Sequence, residues 1–418
     1  MKLVDHTFDL PLDHAAPDGE RISVYAREVR ASSEVRIELP WLLFLGGGPG
    51  HPSPRPIGDE GWLLRALDRY RVLLLDQRGT GRSTQVNRHT VAARGDAAAE
   101  WLTHFRADSI VRDAEAIRRS LIGDEPWSVL GQSFGGFCVV TYLSIAGAGL
   151  REAFVTGGLP GVGVDAADAY RAHFPVVAEK NAGHYETYPS DVVAAQRIAA
   201  HLVSHEVFLP GGRRLTVEAF QSLGNMLGGR DGSRRLHYLL ENPFTGDTLS
   251  DAFLLEVQSG LSWASPANPI YYLLHEPSYL DGTGPTGWAA QEVRAEHPAF
   301  DARAALAAGA PVLFTGEMIF PWMYDDDPLM RPLRAVADEL SRRPKWSPLY
   351  DVDRLRANRV PLAAAVYDTD MYVNRDLSLR TAAMIGNLKV WHTDEHQHDG
   401  LRVSDGLVLS RLFDLLAD

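Results

Sequence analysis

A serine flanked by glycines, placed between an apolar stretch and a helical pattern, is the strongest chemical signal in the sequence. Ser133 lies at the centre of Gly131-Gln-Ser-Phe-Gly135, directly after the apolar run 127–130, and a helical pattern follows at 137–146. A strand, a sharp turn and a helix expose a hydroxyl at the end of a sheet, beside the positive end of the helix. The pattern therefore indicates a nucleophilic serine.

A run of glycines follows an earlier apolar stretch and predicts where the charge created by an attack of Ser133 is stabilised. Gly46-Gly-Gly-Pro-Gly50 comes directly after residues 41–45. No Gly-Lys-Ser/Thr follows it, which argues against a phosphate-binding loop. Small residues let a backbone N–H face a reacting carbonyl oxygen. We expect an oxyanion hole formed by the N–H of Phe134 with that of Gly47 or Gly48.

The acid that orients a catalytic histidine is expected at the end of one of two late strand-like segments. The segment 311–316 ends at Glu317, and the segment 360–367 ends near Asp368 and Asp370. The second is preferred because a helix and a histidine-bearing strand follow it, in the order serine, acid, histidine. Asp370 is preferred over Asp368, since it lies past the strand end, where a carboxylate can reach a histidine.

Three histidines near the last strand-like segment are candidates for the catalytic base. His392 still belongs to the strand pattern and is expected to pack. His398 precedes an Asp-Gly turn that can bring its ring over Ser133, so it is preferred over His396. The spacing of His396 and His398 is also compatible with a metal site, but no second cluster of ligands accompanies them. We expect neither a metal nor another cofactor.

A second turn with glycines follows the apolar run 71–75. Its sequence is Asp76-Gln-Arg-Gly-Thr-Gly-Arg-Ser83. The third glycine of a dinucleotide-binding motif is missing. We interpret the turn as structural, with Asp76 and Arg78 paired to brace neighbouring loops.

The order of patterns predicts an α/β fold with a mostly parallel sheet and an inserted helical region. Residues 1–40 favour an antiparallel start, after which apolar runs suited to buried strands alternate with helical patterns. From about 165 to 300, helix-like segments and aromatic residues replace this alternation. We predict a first core part at 1–164, a mostly helical cap at 165–300 and a second core part at 301–418, with the last boundary open between 300 and 355.

Composition argues against several classes of protein. The net charge is −13, which disfavours nucleic acid as a partner. The single cysteine, Cys138, cannot form an intrachain disulfide. No apolar run approaches the ~18 residues of a membrane-spanning helix, and the first residues lack the apolar core of a secretory leader. The sequence therefore predicts a cytoplasmic protein without a membrane partner, and it gives no indication of oligomeric state.

Taken together and in order, three of these motifs resemble those of the proline iminopeptidases, which are serine peptidases of the α/β-hydrolase fold. The motifs are Gly46-Gly-Gly-Pro-Gly50, Asp76-Gln-Arg-Gly-Thr-Gly-Arg-Ser83 and Gly131-Gln-Ser-Phe-Gly-Gly136. The length and the later segments Gly316-Glu-Met-Ile-Phe-Pro-Trp-Met323 and His398-Asp-Gly400 resemble the larger subtype. One difference is Gly46, where the family often has histidine. The resemblance implies release of N-terminal proline from small peptides by Ser133, His398 and Asp370.

The resemblance also implies that glutamates of the cap hold the protonated imino group of the substrate. The candidates are Glu276, Glu241 and Glu317, and Glu276 is preferred for its aromatic surroundings. A carboxylesterase or related acyl hydrolase is the alternative, since it needs the same triad and oxyanion hole but no cap carboxylate. A catalytically silent binding protein is disfavoured because all elements of a triad are present in order.

Overall fold

The computed structural model describes residues 1–31, 39–58, 61–262 and 266–417. Part of the predicted antiparallel start, residues 32–38, lies outside these ranges. The described strands form one large sheet and one short hairpin. The strands of the large sheet are Lys2–Pro11 (β1), Arg21–Arg30 (β2), Trp41–Leu45 (β3), Arg71–Asp76 (β4), Trp127–Gln132 (β5), Leu150–Thr156 (β6), Leu362–Tyr367 (β7) and Leu388–Thr393 (β8).

The large sheet is mostly parallel, as the sequence predicts. Its spatial order is β1-β2-β4-β3-β5-β6-β7-β8. Strand β2 pairs antiparallel with β1 and β4, and the other neighbouring strands pair in parallel. Strands β3 and β7 are buried along their whole length, which explains their continuous apolar sequences. The carboxyl ends of β3, β5, β7 and β8 point to the same edge, so the residues that follow them can meet there.

Helices connect the strands throughout the chain. Before β6 they are Gly61–Leu67 (α1), Arg88–Ala92 (α2), Ala98–Leu102 (α3), Ala107–Ile122 (α4) and Phe134–Ala146 (α5). Between β6 and β7 they are Ala166–Thr187 (α6), Ser190–Ser204 (α7), Val217–Gln221 (α8), Gly232–Leu240 (α9), Asp251–Gly260 (α10), Pro269–Leu274 (α11), Ala289–Ala295 (α12), Ala302–Ala308 (α13), Trp322–Asp326 (α14), Arg334–Ser341 (α15) and Val352–Arg356 (α16). After β7 they are Arg375–Ala382 (α17), Gly400–Val403 (α18) and Leu407–Ala417 (α19).

Two apolar layers cover the faces of the sheet. Successive side chains of a strand point to opposite faces. Leu43 of β3 accordingly packs in the layer that contains residues of α4 and α5, whereas Leu42 packs in the layer that contains residues of α1 and α19. None of the described helices has both the length and the apolar character needed to cross a lipid bilayer.

The region between β6 and β7 is helical, and in its described part it adds no strand to the large sheet. Its only described strands form the short hairpin of Phe244–Thr245 and Thr248–Leu249. Helices continue as far as α16, so the boundary between cap and core stays a prediction.

The strand expected at 311–316 is not formed, and this expectation was wrong. Strand β6 pairs directly with β7, which leaves no place between them for another strand. Side chains of the helical region satisfy the backbone of this segment instead. The side-chain amide of Asn181 donates to the carbonyl oxygen of Phe314 at 2.8 Å and accepts from its N–H at 2.7 Å. The Gln221 amide donates to the carbonyl oxygen of Leu313 at 2.7 Å.

The expected pairing of Asp76 with Arg78 was also wrong, because each side chain has a partner on another element. Arg78 donates from Nε to Asp113 of α4 at 2.7 Å. Asp76 accepts from Nη1 of Arg55 at 2.9 Å and from the N–H of Ser53 at 3.0 Å. The turn after β4 therefore braces the surrounding structure through two separate ion pairs.

Candidate active site

Ser133 lies in the sharp turn between β5 and α5. Its backbone has φ 56° and ψ −127°, a conformation that non-glycine residues rarely adopt. The turn brings α5 so close to β3 that a Cβ on Gly135 would lie 1.9 Å from the carbonyl oxygen of Leu45. The glycine after the serine is therefore required by the approach of helix and strand, and the strained turn holds the hydroxyl at the carboxyl edge of the sheet.

Ser133, His398 and Asp370 form a continuous chain of hydrogen bonds. Nε2 of His398 lies 2.9 Å from Oγ of Ser133, and Nδ1 lies 2.7 Å from Oδ2 of Asp370. The three residues follow β5, β8 and β7, whose carboxyl ends share one edge of the sheet. This is the geometry in which a histidine can remove the serine proton while a carboxylate orients its ring.

The surroundings of Asp370 and His398 fix both side chains. The other oxygen of Asp370 accepts from the N–H groups of Tyr372 at 2.9 Å and Val373 at 3.0 Å. The ring of Tyr372 packs edge-on against the His398 ring, with centroids 4.7 Å apart. Burial by itself lowers the pKa of His398, but the charge and hydrogen bond of Asp370 and the charge of Glu317 outweigh it, so the net direction is upward.

The alternative acid and base lie outside this chain of hydrogen bonds. Asp368 forms an ion pair with His392, which belongs to β8. The ring of His396 packs edge-on against Tyr367 and Trp391. In the described part of the chain, no group of three or more His, Cys, Asp or Glu side chains is arranged to hold a metal ion.

The glycine run after β3 lies against the serine. A Cβ on Gly47 would lie 2.9 Å from Cβ of Ser133 and 2.8 Å from Oε1 of Gln132, so a larger residue does not fit without displacement. Gly48 follows with φ 138°, which favours glycine. Phe134 is the first residue of α5, where backbone N–H groups point out of the helix. The backbones of Gly47 and Phe134 thus both lie close to Ser133.

Of the three candidate glutamates, Glu317 is the one whose charge interacts with the triad residues His398 and Asp370. The Tyr271 hydroxyl donates to its carboxylate, and the residue is half-buried. Burial raises the pKa of Glu317 to about 7, against the hydrogen bond of Tyr271 and the charge of His398. A half-buried carboxylate whose charge interacts with His398 is suited to binding a cation.

Glu276 has a different position, although burial also raises its pKa to about 7. Its side chain is 4% exposed and accepts from the N–H of Ala290 at 2.9 Å, at the start of α12. Thr286 also hydrogen-bonds to it and lowers its pKa. Its oxygens are therefore engaged in holding the helical region together.

Glu241 lies at the surface of the helical region. Its side chain is 51% exposed and lies 3.5 Å from Nε2 of His237, one helical turn earlier. None of its described contacts involves Ser133, His398 or Asp370.

A small pocket with a cavity volume of about 10 Å³ adjoins the surroundings of His398 through Tyr372. Phe137, Tyr279 and Tyr372 contribute aromatic walls, and Tyr372 is the residue packed against His398. Tyr279 is half-buried, and the charges of Glu317, Glu276 and Asp370 add to desolvation in raising its pKa. The pocket therefore offers aromatic surface one side chain away from His398, within the field of several carboxylates.

Two buried histidines of this region had not been singled out in the sequence. Burial lowers the pKa of His173 to about 4 and that of His275 to about 3, so both rings are neutral at pH 7. His173 lines the pocket, and both rings pack against Tyr279. Their helical neighbours give no pattern that separates them from ordinary core residues, so the sequence offered no signal for them.

The sequence matches a known family over part of its length, and it is similar to known proteins along nearly its whole length. Residues 40–235 match the alpha/beta hydrolase fold family. A proline iminopeptidase from Aeromonas sobria is 46% identical over 415 residues, covering 99% of this chain and 96% of that protein. One from Aspergillus aculeatus is 37% identical over 429 residues, covering 98% and 93%. Both matches extend through the helical region as well as the sheet.

Proposed function

The chain belongs to the proline iminopeptidase family of α/β-hydrolases, and on that premise we propose that it releases N-terminal proline from peptides through an acyl-enzyme on Ser133. The observation that carries the proposal is the hydrogen-bonded chain of Ser133, His398 and Asp370, together with the half-buried Glu317, whose charge interacts with His398. A triad supports hydrolysis in general, and a nearby carboxylate adds a reason to prefer substrates with a positively charged N-terminus.

The proposed mechanism follows from the order of the contacts, in which Nε2 of His398 faces the serine oxygen and Nδ1 faces Asp370. His398 takes the proton of Ser133 through Nε2 as the hydroxyl oxygen attacks the scissile carbonyl, and Asp370 stabilises the resulting imidazolium. The N–H groups of Phe134 and of Gly47 or Gly48 hold the oxyanion. His398 then gives the proton to the leaving amine. A water molecule, activated by the same histidine, releases proline from the acyl-enzyme.

We assign recognition of the protonated imino group to Glu317 in preference to Glu276 and Glu241. Glu317 has accessible surface and interacts electrostatically with His398, whereas Glu276 is occupied at α12 and Glu241 is at the surface. A substrate cation favours the ionised form of Glu317, so binding lowers its pKa from about 7. Glu276 then acts by keeping the helical region in place.

The pyrrolidine ring is assigned to the small pocket near the triad, whose walls must move apart to admit it because the cavity volume is only about 10 Å³. Its aromatic walls, Phe137, Tyr279 and Tyr372, offer apolar surface to a ring that has no side-chain hydrogen-bonding group. The proposed substrates are small peptides with proline at the N-terminus. The cap at 165–300 and a cytoplasmic location remain predictions of the sequence.

The test compares four chromogenic substrates: prolyl, alanyl and N-blocked prolyl amides, and a simple acyl ester. We expect strong preference for the free prolyl amide, lost on blocking, and a fall of about 10⁶-fold in kcat for Ser133→Ala. If blocking the imino group leaves the rate unchanged and the ester is cleaved fast, the protein is a carboxylesterase. Retention of most activity by Ser133→Ala would remove the proposed nucleophile.

A further inference from the structure

A lysine of the helical region contacts both loops that carry the acid and the base of the triad. Lys180 lies near the end of α6. Its Nζ donates to Oγ1 of Thr369 at 3.0 Å and to Oε1 of Gln397. The Thr369 hydroxyl in turn donates to Oε1 of Gln397 at 3.2 Å. The three side chains thus form a closed polar triangle that joins the loop after β7, the loop after β8 and helix α6.

The position of this triangle gives it a direct bearing on the triad. Thr369 immediately precedes Asp370, and Gln397 immediately precedes His398. A displacement of either loop changes the 2.7 Å contact between the carboxylate and the imidazole. We propose that Lys180 is a positioning residue for catalysis, which holds the acid and base loops in register and places a positive charge beside them. This inference rests on the triad of the proposed function but not on its preference for proline.

The charges around the triad explain what a cation contributes there. His398 is faced by Asp370 from the loop after β7, by Glu317 from the segment after α13 and by Asp399 from its own loop, and all three raise its pKa. The phenol of Tyr372 also packs against the ring, and neutral His173 of α6 interacts with Asp370.

Lys180 adds the opposite sign to this acidic surrounding. It is half-buried, and burial lowers its pKa while the charge of Asp370 opposes that change. A cation on these loops offsets part of the negative potential and keeps more of the histidine in the neutral form that accepts the serine proton.

The next residue of the same helix holds a third segment of the site. Asn181 fixes the backbone of Phe314, three residues before Glu317, through two hydrogen bonds of 2.7 and 2.8 Å. Consecutive residues of α6 therefore connect the helix to the triad loops and to the segment that carries the proposed amine-binding carboxylate. The helix provides one frame for both parts of the site.

The experiment measures how fast phenylmethylsulfonyl fluoride modifies Ser133, followed by intact mass as a function of pH. In this reaction the serine oxygen bonds to sulfur, fluoride leaves and His398 takes the hydroxyl proton, so no amine binding is involved. The variants are Lys180→Met, Lys180→Arg and Thr369→Val. The matched control is Lys389→Met, which removes an exposed lysine of β8. The kcat and KM for the prolyl amide are measured on the same preparations.

We expect Lys180→Met to slow modification and to lower kcat by about tenfold or more, with KM changed much less, because misplaced catalytic groups reduce the rate strongly. The acidic limb of its pH profile should move to higher pH. Lys180→Arg keeps the positive charge, so the pH at which its rate falls on the acidic side should match the wild type. Thr369→Val removes the hydroxyl that joins Lys180 to Gln397 but keeps the positive charge of Lys180. The rate should therefore fall, while the pH at which it falls on the acidic side should stay unchanged. Lys389→Met should match the wild type.

The inference would be overturned if Lys180→Met reacted at the wild-type rate and its rate fell at the same acidic pH as that of the wild type. If that variant does not fold, a wild-type rate for Thr369→Val overturns it instead. Modification rates that follow the expected pattern in an enzyme that does not cleave prolyl amides would leave the role of Lys180 standing and reject the proposed function.

Discussion

Two glutamates of the helical region have pKa values raised to about 7 by the same cause, burial, yet their partners give them different roles. Glu276 accepts from the backbone of α12, whereas Glu317 accepts from Tyr271 and interacts with His398. A pKa alone does not distinguish a binding carboxylate from a structural one. The hydrogen-bond partners and the remaining accessible surface do.

Glu317→Gln should therefore weaken a cationic substrate selectively. We expect KM for the free prolyl amide to rise by tenfold or more, since a charge-assisted hydrogen bond contributes about 1.5–3 kcal/mol. Hydrolysis of a neutral ester should change little at a pH where His398 is fully neutral, since the charge of Glu317 affects the ester reaction only through the pKa of His398. Glu276→Gln is the matched variant, and its effect should fall on both substrates alike through lost stability. A selective effect of Glu276→Gln with none from Glu317→Gln would reverse the assignment.

The pH dependence of the triad has a sign that follows from the raised pKa of His398. The base must be neutral, and a pKa above the ordinary 6.5 makes the imidazolium persist to higher pH. For a neutral ester, kcat/KM should fall as the pH decreases through a value above 6.5. Asp370→Asn removes the main group that raises this pKa, so the limb should move down while kcat falls about 10⁴-fold. A limb that stays in place would show that another group titrates.

The residues of the triad could be predicted because their chemistry depends on local patterns at strand ends. Ser133, Asp370 and His398 each follow an apolar run, and a parallel sheet brings such ends together. The sequence prefers Glu276 as the amine-binding residue, whereas we propose Glu317, because aromatic neighbours along the sequence do not show which oxygens are already hydrogen-bonded. Lys180 could not be found, since its partners are 189 and 217 residues away.

Among the elements, the contact between α5 and β3 determines where the nucleophile sits. Gly135→Ala places a Cβ 1.9 Å from the carbonyl oxygen of Leu45, and backbone cannot move aside cheaply. We expect a loss of about 3 kcal/mol in the free energy of unfolding. Gly147→Ala, at the other end of α5, meets nothing within 4 Å and has φ −53°, so it should be close to neutral. Urea unfolding of both variants tests this, and equal stability would contradict the close approach.

An apolar sequence predicts that a segment is buried, but not that it forms a strand. Buried strands such as β3 and β7 have continuous apolar sequences that are visible without a structure. The segment 311–316 has the same appearance, but its backbone is satisfied by Asn181 and Gln221 from distant helices. Apolar sequence indicates burial, and it does not show whether the hydrogen-bond partner is a strand or a side chain.

At the scale of the whole molecule, one buried arginine joins the sheet region to the helical region. Arg106 precedes α4, and its guanidinium donates to the carbonyl oxygens of Pro277 at 3.0 Å, Leu280 at 2.5 Å and Ser347 at 2.9 Å. It also lies over the ring of Trp346, 5.0 Å from its centroid. Burial lowers the pKa of Arg106 to about 10, which still leaves it charged at pH 7.

Arg106→Met should loosen the helical region from the sheet. The buried carbonyl groups of Pro277 and Leu280 lose their donor, as does the more exposed carbonyl of Ser347, and we expect a loss of about 3 kcal/mol because unsatisfied buried polar groups are costly. Arg112→Met is the matched control. Its side chain is 44% exposed and pairs with Asp108 one turn away, so its loss should be below about 1 kcal/mol. Urea unfolding followed by near-UV and far-UV circular dichroism should give coincident transitions for the control and separate ones for Arg106→Met. Coincident transitions at unchanged midpoint for Arg106→Met would mean that the two regions are held together by other contacts, because the arginine would then contribute nothing to their joint unfolding.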